Sequence, residues 1–176
     1  MGKRKLATAL AAGCAATVAC PAASGAAAPP AACWLLKSEP HDYSIAQESL
    51  AVDRTTTWDG VRSTAARARL RAMRVGERCL FYHSSCKQIG VAGEALVRRT
   101  AYPDPADGEW LVVDIEFAED WGEVVSLSTL KEHREGALKG LALFTNPRLS
   151  VQPVSPEHYE FILSLRGRCV SQEQAA

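Results

Sequence analysis

The sequence lacks a surplus of charge of either sign. Lysine and arginine together number 20, aspartate and glutamate together number 20, and the formal net charge is zero. Proteins that hold long nucleic acids through counterion release are usually strongly basic. The balanced charge excludes that class, and we expect any contact with nucleic acid to be local.

Paired cysteines and long apolar runs are also missing. None of the six cysteines belongs to a C-x-x-C pair, which favours reduced thiols over a disulfide framework. The nearest approach to a metal motif is His83-x-x-Cys86, a single pair of ligands without a second. Residues 6–20 are shorter and less apolar than the stretch of about 20 residues that spans a membrane. We therefore predict no metal, no cofactor and no membrane partner.

Residues 1–32 differ in composition from the rest of the chain. They are rich in alanine and proline, begin with a basic cluster and contain no acidic residue. Three interpretations stay open: a disordered tail, a transit peptide for a mitochondrion or plastid, and a poor secretory signal with Ala26-x-Ala28 as its cleavage site. We predict one folded domain over residues 33–168 and a disordered tail over residues 169–176.

Short strands with interspersed helices are predicted from residue 33 onward. The predicted strands are residues 34–36, 78–83, 89–99, 110–117 and 149–152. The predicted helices are residues 44–50, 62–74, 127–133 and 156–165, with Ala66, Leu70 and Met73 as the buried stripe of the second one. Ser126 opens the third helix, and Ser155 with Pro156 opens the fourth. Because long strand–helix–strand crossovers are few, this order predicts an α+β fold arranged as a small barrel.

Two short runs combine an aromatic ring or hydroxyl with charges and a chain-breaking residue. They are Lys37-Ser38-Glu39-Pro40 and Trp58-Asp59-Gly60-Val61-Arg62. A pocket for a planar ligand needs this combination, because it stacks the ring and bonds its edge. The alternative is a core tryptophan with a surface ion pair, which stabilises proteins little.

A third run, Phe81-Tyr82-His83-Ser84, ends a predicted strand. Alternation places Phe81 and His83 on one face of the sheet and Tyr82 and Ser84 on the other, so one pair could build core while the other faces a cavity. The alternatives are a packed tyrosine with a hydrogen-bonded histidine, or a Cys86–His83 nucleophilic pair, for which no orienting group is identified.

The helix over residues 62–74 carries five arginines and no acid. We predict that Arg67, Arg71 and Arg74 share a face beside the apolar stripe and contact phosphate. A solvated helix face is the alternative, and the two interpretations are compatible.

Taken together, the motifs resemble the EVE domain family. The matching segments are Trp34-Leu35-Leu36-Lys37-Ser38-Glu39-Pro40, Thr57-Trp58-Asp59-Gly60-Val61-Arg62, residues 70–76, Phe81-Tyr82-His83-Ser84, Ala101-Tyr102-Pro103-Asp104 and Leu149-Ser150-Val151-Gln152-Pro153. The resemblance implies a PUA-like pseudo-β-barrel with short flanking helices, related to YTH and ASCH domains. It further implies an aromatic pocket for a modified base such as modified cytosine in DNA, and residence in the nucleus. Carried over motif by motif, the ligand-binding residues are Trp34, Lys37, Ser38, Trp58, Asp59, Arg62, Tyr82, His83, Ser84, Ser150 and Gln152.

The sequence departs from the family pattern at two places. The family usually continues Val-Arg with Asn-Tyr-Gln-Ala-Arg-Asn, whereas residues 63–68 here read Ser-Thr-Ala-Ala-Arg-Ala. The family also has a longer loop where only residues 105–109 separate Asp104 from Trp110. An amide, a ring and any contacts of the longer loop are therefore absent.

We predict a monomeric, non-enzymatic reader of a modified base, with DNA as its partner. One rival is an ASCH-like amidohydrolase, in which Lys37 activates water and Glu39 transfers protons to and from a modified nucleoside. The other is a domain whose pocket has decayed and which binds proteins instead, an interpretation motivated by the lost Asn-Tyr-Gln.

Overall fold

The computed structural model describes residues 32–40 and 54–167. Its strands are β1 (Cys33–Ser38), β2 (Thr55–Trp58), β3 (Arg78–His83), β4 (Gly90–Asp104), β5 (Asp107–Ser126) and β6 (Val151–Val154). Its helices are α1 (Thr64–Ala72), α2 (Leu127–Glu132), α3 (Ala142–Thr145) and α4 (Pro156–Ser164). No helix in these two ranges is long and apolar enough to cross a membrane.

The six strands form one mixed sheet in the order β2-β5-β4-β3-β1-β6. Strands β1 and β3 are parallel, and the other neighbours are antiparallel. The predicted α+β fold with short helices is confirmed. Strands β2 and β6 are the two edges, so within the described ranges the pseudo-barrel is not fully closed.

Both faces of the sheet are buried at β1 and β3, because consecutive residues of these strands are apolar and successive side chains point to opposite faces. Leu36 and Phe81 belong to one core cluster, which α1 covers with Ala66 and Leu70. The opposite cluster contains Leu35, Leu80 and Tyr82 and is covered by Tyr159 and Ile162 of α4. The predicted stripe Ala66, Leu70 and Met73 is confirmed, since all three are 0% exposed.

Two predicted strands were too short. Strands β4 and β5 form a hairpin of 15 and 20 residues, and β4 continues through Tyr102 and Pro103 to Asp104. Five register shifts interrupt this pairing, one of them directly after Pro103. Such irregularities bend the strands and accommodate a residue that has no N–H to donate, which is why the proline did not end the strand.

The other boundaries differ less. The last strand was predicted at residues 149–152 but is Val151–Val154, and Pro153 is tolerated because β6 is an edge strand. The first described helix is shorter than predicted, whereas Ser126 and Ser155 cap α2 and α4 as expected, accepting hydrogen bonds from the N–H groups of Thr129 and His158. Helix α3 was not predicted. The helix predicted at residues 44–50, the segment 1–31 and the tail from residue 168 lie outside the described residues.

Candidate nucleic-acid interface

The carboxyl ends of the parallel strands β1 and β3 meet at one edge of the sheet. Ser38 pairs with His83 in the register. Beyond that pair, the backbone carbonyl of Ser38 accepts hydrogen bonds from the N–H and the hydroxyl of Ser84, at 2.7 and 3.0 Å. This double contact brings together two sequence motifs that are 46 residues apart.

A cavity of about 420 Å³ opens at this edge, and we call it the strand-end cavity. Four segments of the chain build it: the end of β1, the end of β2 with the loop into α1, the end of β3, and the loop between α3 and β6. Its lining residues are Lys37, Ser38, Glu39, Trp58, Asp59, Gly60, Val61, Ser84, Ser85, Pro147, Arg148 and Ser150. Of the predicted ligand-binding residues, the structure therefore brings together Lys37, Ser38, Trp58, Asp59, Ser84 and Ser150.

Lys37 connects the end of β1 to the loop before β6. Its Nζ donates a hydrogen bond to the carbonyl oxygen of Pro147 at 2.7 Å and lies 5.2 Å from the centre of the Tyr82 ring. Burial lowers the pKa of the Lys37 ammonium and raises the pKa of Tyr82 to about 12. The phenol therefore stays neutral at physiological pH and offers its ring face to the cation.

Trp58 belongs both to the core and to the cavity wall. It is only 6% exposed, and its ring packs edge to face against Phe81 with centroids 5.6 Å apart. The core interpretation and the cavity interpretation of this tryptophan are therefore compatible. Gly60, which lines the cavity two residues after Trp58, has a φ of 73°, a left-handed conformation that favours glycine.

The charged residues of the cavity balance each other in formal charge. Lys37 and Arg148 contribute two cations, and Glu39 and Asp59 contribute two anions. A site of this kind selects its ligand by shape, stacking and placed hydrogen bonds rather than by attraction to phosphate alone.

Besides Arg62, four predicted ligand-binding residues do not line the cavity. Trp34 is 4% exposed and donates from its indole N–H to Glu77 at 2.6 Å. Tyr82 is buried beneath Lys37. His83 packs against Phe81, burial lowers its pKa, and its Nε2 is buried with no hydrogen-bond partner among the described residues.

Gln152, the fourth, is fully buried and supports the loop between α3 and β6. Its Nε2 donates to the carbonyl oxygens of Asn146 and Leu149, at 3.2 and 2.9 Å. These contacts enclose Pro147 and Arg148, which line the cavity. In this position Gln152 holds the loop in place and does not face the cavity.

The predicted arginines have different surroundings. Arg62 forms an ion pair with Asp104 at 3.6 Å, and the guanidinium groups of Arg62 and Arg67 each lie 5.2 Å from the centre of the Trp110 ring. Arg67 also donates to the carbonyl of Glu109 at 3.0 Å, which attaches α1 to the β4–β5 hairpin. Arg74 donates to three carbonyls at the end of α1, and Arg71 is exposed.

Sequence reasoning missed Arg148 as a site residue. The exposed Arg148 side chain makes no hydrogen bond or ion pair with another residue of the described ranges, although the residue lines the cavity. A turn signal, Asn146-Pro147, precedes it. That signal predicts a loop but not the loop's position beside Lys37, which is 110 residues away from Pro147.

Comparison with known proteins shows extensive similarity. The family model described as "EVE domain" matches residues 32–165. Human "Thymocyte nuclear protein 1" is 37% identical, over 77% of this chain and 74% of that protein. A hypothetical protein from Leishmania major has a solved structure that is 42% identical, with a TM-score of 0.72, covering 79% of this chain and 96% of that one. The crystal structure of human THYN1 protein in complex with DNA containing 5-methylcytosine is 35% identical, with a TM-score of 0.72, covering 77% of this chain and 98% of that one.

Proposed function

This chain belongs to the EVE domain family, and from that premise we propose that it reads a modified base in DNA without changing it chemically. The observation that carries the proposal is the strand-end cavity, which is lined by the tryptophan Trp58, the lysine Lys37 and several serines. The human relative, which has the same fold, was crystallised with DNA containing 5-methylcytosine. We therefore propose 5-methylcytosine or a related base as the ligand.

The lining residues have distinct roles in this proposal. Trp58 forms a wall against which the flipped base packs, and Lys37, Ser38 and Asp59 bond its edge. Ser84 and Ser150 line the cavity near these groups, and Arg148 contacts a phosphate at the opening. Tyr82 supports Lys37 and Gln152 holds the loop that carries Arg148, whereas Trp34 packs in the core and His83 packs against Phe81. Of the arginines predicted to contact phosphate, Arg71 is the one whose guanidinium makes no hydrogen bond or ion pair with another described residue.

The departure from the family pattern at residues 63–68 does not remove the cavity. Helix α1 begins at Thr64, and none of these six residues belongs to the cavity lining. This observation supports the reader over a decayed domain that binds only proteins. We also propose that the protein acts as a monomer. We propose the nucleus as its location, as the name of its relatives suggests.

The test is a comparison of matched DNA duplexes that carry plain, 5-methyl or 5-hydroxymethyl cytosine. Binding is measured by fluorescence polarisation at two salt concentrations. We expect a preference for a modified duplex that survives the higher salt, because a base contact does not depend on counterion release. One added methyl group in a fitted pocket contributes about 1–3 kcal/mol to discrimination, so the preference should be roughly 5- to 150-fold.

A variant that fills the cavity sharpens this test. Ser150 is half-buried and lines the cavity, whereas Ser63 is exposed and does not. Ser150→Leu should reduce binding of the modified duplex to the level of the plain one, and Ser63→Leu should leave the preference intact. Equal binding of all three duplexes by the parent protein would contradict the proposal and favour a protein-interaction module.

The pKa of Lys37 keeps one alternative open, the amidohydrolase acting on a modified nucleoside. Burial lowers this pKa, as a lysine that activates water requires. Glu39, the second residue of that mechanism, lines the same cavity but is exposed. Release of ammonia or a free base from a panel of modified nucleosides would establish the enzyme, and loss of that turnover in Glu39→Gln would assign the residue.

A further inference from the structure

A second cavity, of about 450 Å³, lies between the loop after β3 and the start of α2. We call it the lysine cavity. Its lining residues are Lys87, Gln88, Ile89, Val124, Ser126, Leu127, Ser128 and Lys131. Two ammonium groups, an amide and the hydroxyls of Ser126 and Ser128, which bond each other at 2.6 Å, therefore line a space that no acidic residue lines. This donor-rich composition suits a phosphate group and does not suit a cation.

The register of the sheet places the two cavities at the same edge. Ser38 pairs with His83, His83 pairs with Gly90, and Gly90 pairs with Ser126, which forms one row across β1, β3, β4 and β5. Ser38 lines the strand-end cavity and Ser126 lines the lysine cavity. With neighbouring strands about 4.8 Å apart, three spacings separate the ends of this row by roughly 14 Å.

That separation corresponds to a short stretch of DNA. The rise of B-DNA is about 3.4 Å per base pair, so roughly 14 Å corresponds to about four steps. One loop, between β3 and β4, contributes to both cavities. Its residues Ser84 and Ser85 line the strand-end cavity, and Lys87 and Gln88 line the lysine cavity. A strand with one base in the strand-end cavity would therefore pass the lysine cavity a few nucleotides away.

The two lysines are available for such a contact. Both are exposed, and neither side chain makes a hydrogen bond or ion pair with another described residue. In contrast, Arg62 and Arg67 already contact the β4–β5 hairpin, and Arg74 already donates to the backbone. The arginine helix also carries two cations that are unengaged among the described residues, Arg69 and Arg71, but neither lines one of the two cavities, whereas Lys87 and Lys131 line the same cavity.

We propose that the lysine cavity binds the phosphate backbone of the same DNA whose modified base enters the strand-end cavity. This inference rests on the proposed function. Lys87 and Lys131 supply the charge, and Gln88 and Ser128 supply neutral donors. The contact carries no sequence information, so it increases affinity for modified and plain duplexes by the same factor.

The test measures the salt dependence of binding for the parent protein and for the double variant Lys87→Gln with Lys131→Gln. Each phosphate contact contributes about 0.9 to the slope of log K against log salt, so the double variant should lose about 1.8. Between 50 and 200 mM salt, the parent's affinity should therefore fall roughly 12-fold more than that of the double variant. The ratio of affinities for 5-methylcytosine and plain duplexes should not change. Lys139→Gln, at an exposed lysine outside both cavities, is the matched control.

A second measurement locates the contact along the DNA. Two duplexes carry 5-methylcytosine three base pairs from one end or from the other, so that only one retains the phosphates that reach the lysine cavity. The parent should bind this duplex more tightly, and the double variant should bind the two equally.

An unchanged salt slope in the double variant, while the parent still prefers the methylated duplex, would overturn this inference alone. A parent that binds methylated and plain duplexes equally would overturn the proposed function and this inference with it.

Discussion

Replacing Lys37 by methionine should weaken binding of the modified duplex while leaving the fold intact. Methionine retains an unbranched side chain of similar length, so the packing over the Tyr82 ring is largely kept. An ammonium group has three donors, and the Pro147 carbonyl occupies one of them. The remaining donors are available to a ligand in the cavity.

The expected size follows from the loss of one charged hydrogen bond to the ligand. Such a bond contributes about 1.5–3 kcal/mol, which corresponds to a rise in Kd of roughly 12- to 160-fold. The free energy of unfolding should change by less than about 1.5 kcal/mol, because loss of the bond to Pro147 is partly offset by removing a half-buried charge.

Fluorescence polarisation with the methylated duplex gives the Kd, and urea unfolding gives the stability. Lys139→Met is the control, since it removes an exposed lysine outside the cavity. If Lys37 bonds the base, the salt slope stays constant and the preference for the methylated duplex falls. If Lys37 contacts phosphate, the slope falls by about 0.9 and the preference is kept. A Kd within twofold of the parent's, in a folded variant, would refute any role of Lys37 in the site.

Three further predictions concern stability. Gly90→Ala should destabilise the protein by about 3 kcal/mol or more in urea unfolding, because the new Cβ would lie 2.1 Å from a backbone oxygen of β5. The control is Gly108→Ala, where the new Cβ meets open space and the free energy of unfolding should change by less than about 0.5 kcal/mol. Burial lowers the pKa of His83 in the folded state, so the unfolded state takes up this proton at a higher pH than the folded state does. The free energy of unfolding should therefore fall as the pH drops below about 6.5. His83→Gln should reduce that decline, measured as urea midpoints from pH 5 to 8. Tyr159→Phe should cost about 1–2 kcal/mol in thermal or urea unfolding, because its hydroxyl donates to the partly buried Glu94 carboxylate. An unchanged midpoint would show that this bond contributes no net stability.

The sequence by itself determined most of the local structure. A run of β-forming residues identified β3 residue for residue, and serines at helix starts identified α2 and α4, because strand propensity and capping depend on near neighbours along the chain. The motifs also identified the family and half of the cavity lining. What this local information specifies is which residues are buried and where the chain turns.

Only the tertiary structure decided which residues line the cavity and which do not. Trp34 and Gln152 belong to family motifs, yet one bonds Glu77 in the core and the other holds the loop that carries Arg148. The reason is physical: a polar side chain in a motif satisfies its hydrogen bonds with whichever groups the fold brings near, and those groups are distant in sequence. Parallel pairing of β1 with β3 and the course of the loop before β6 set these neighbours, and no local pattern contains them.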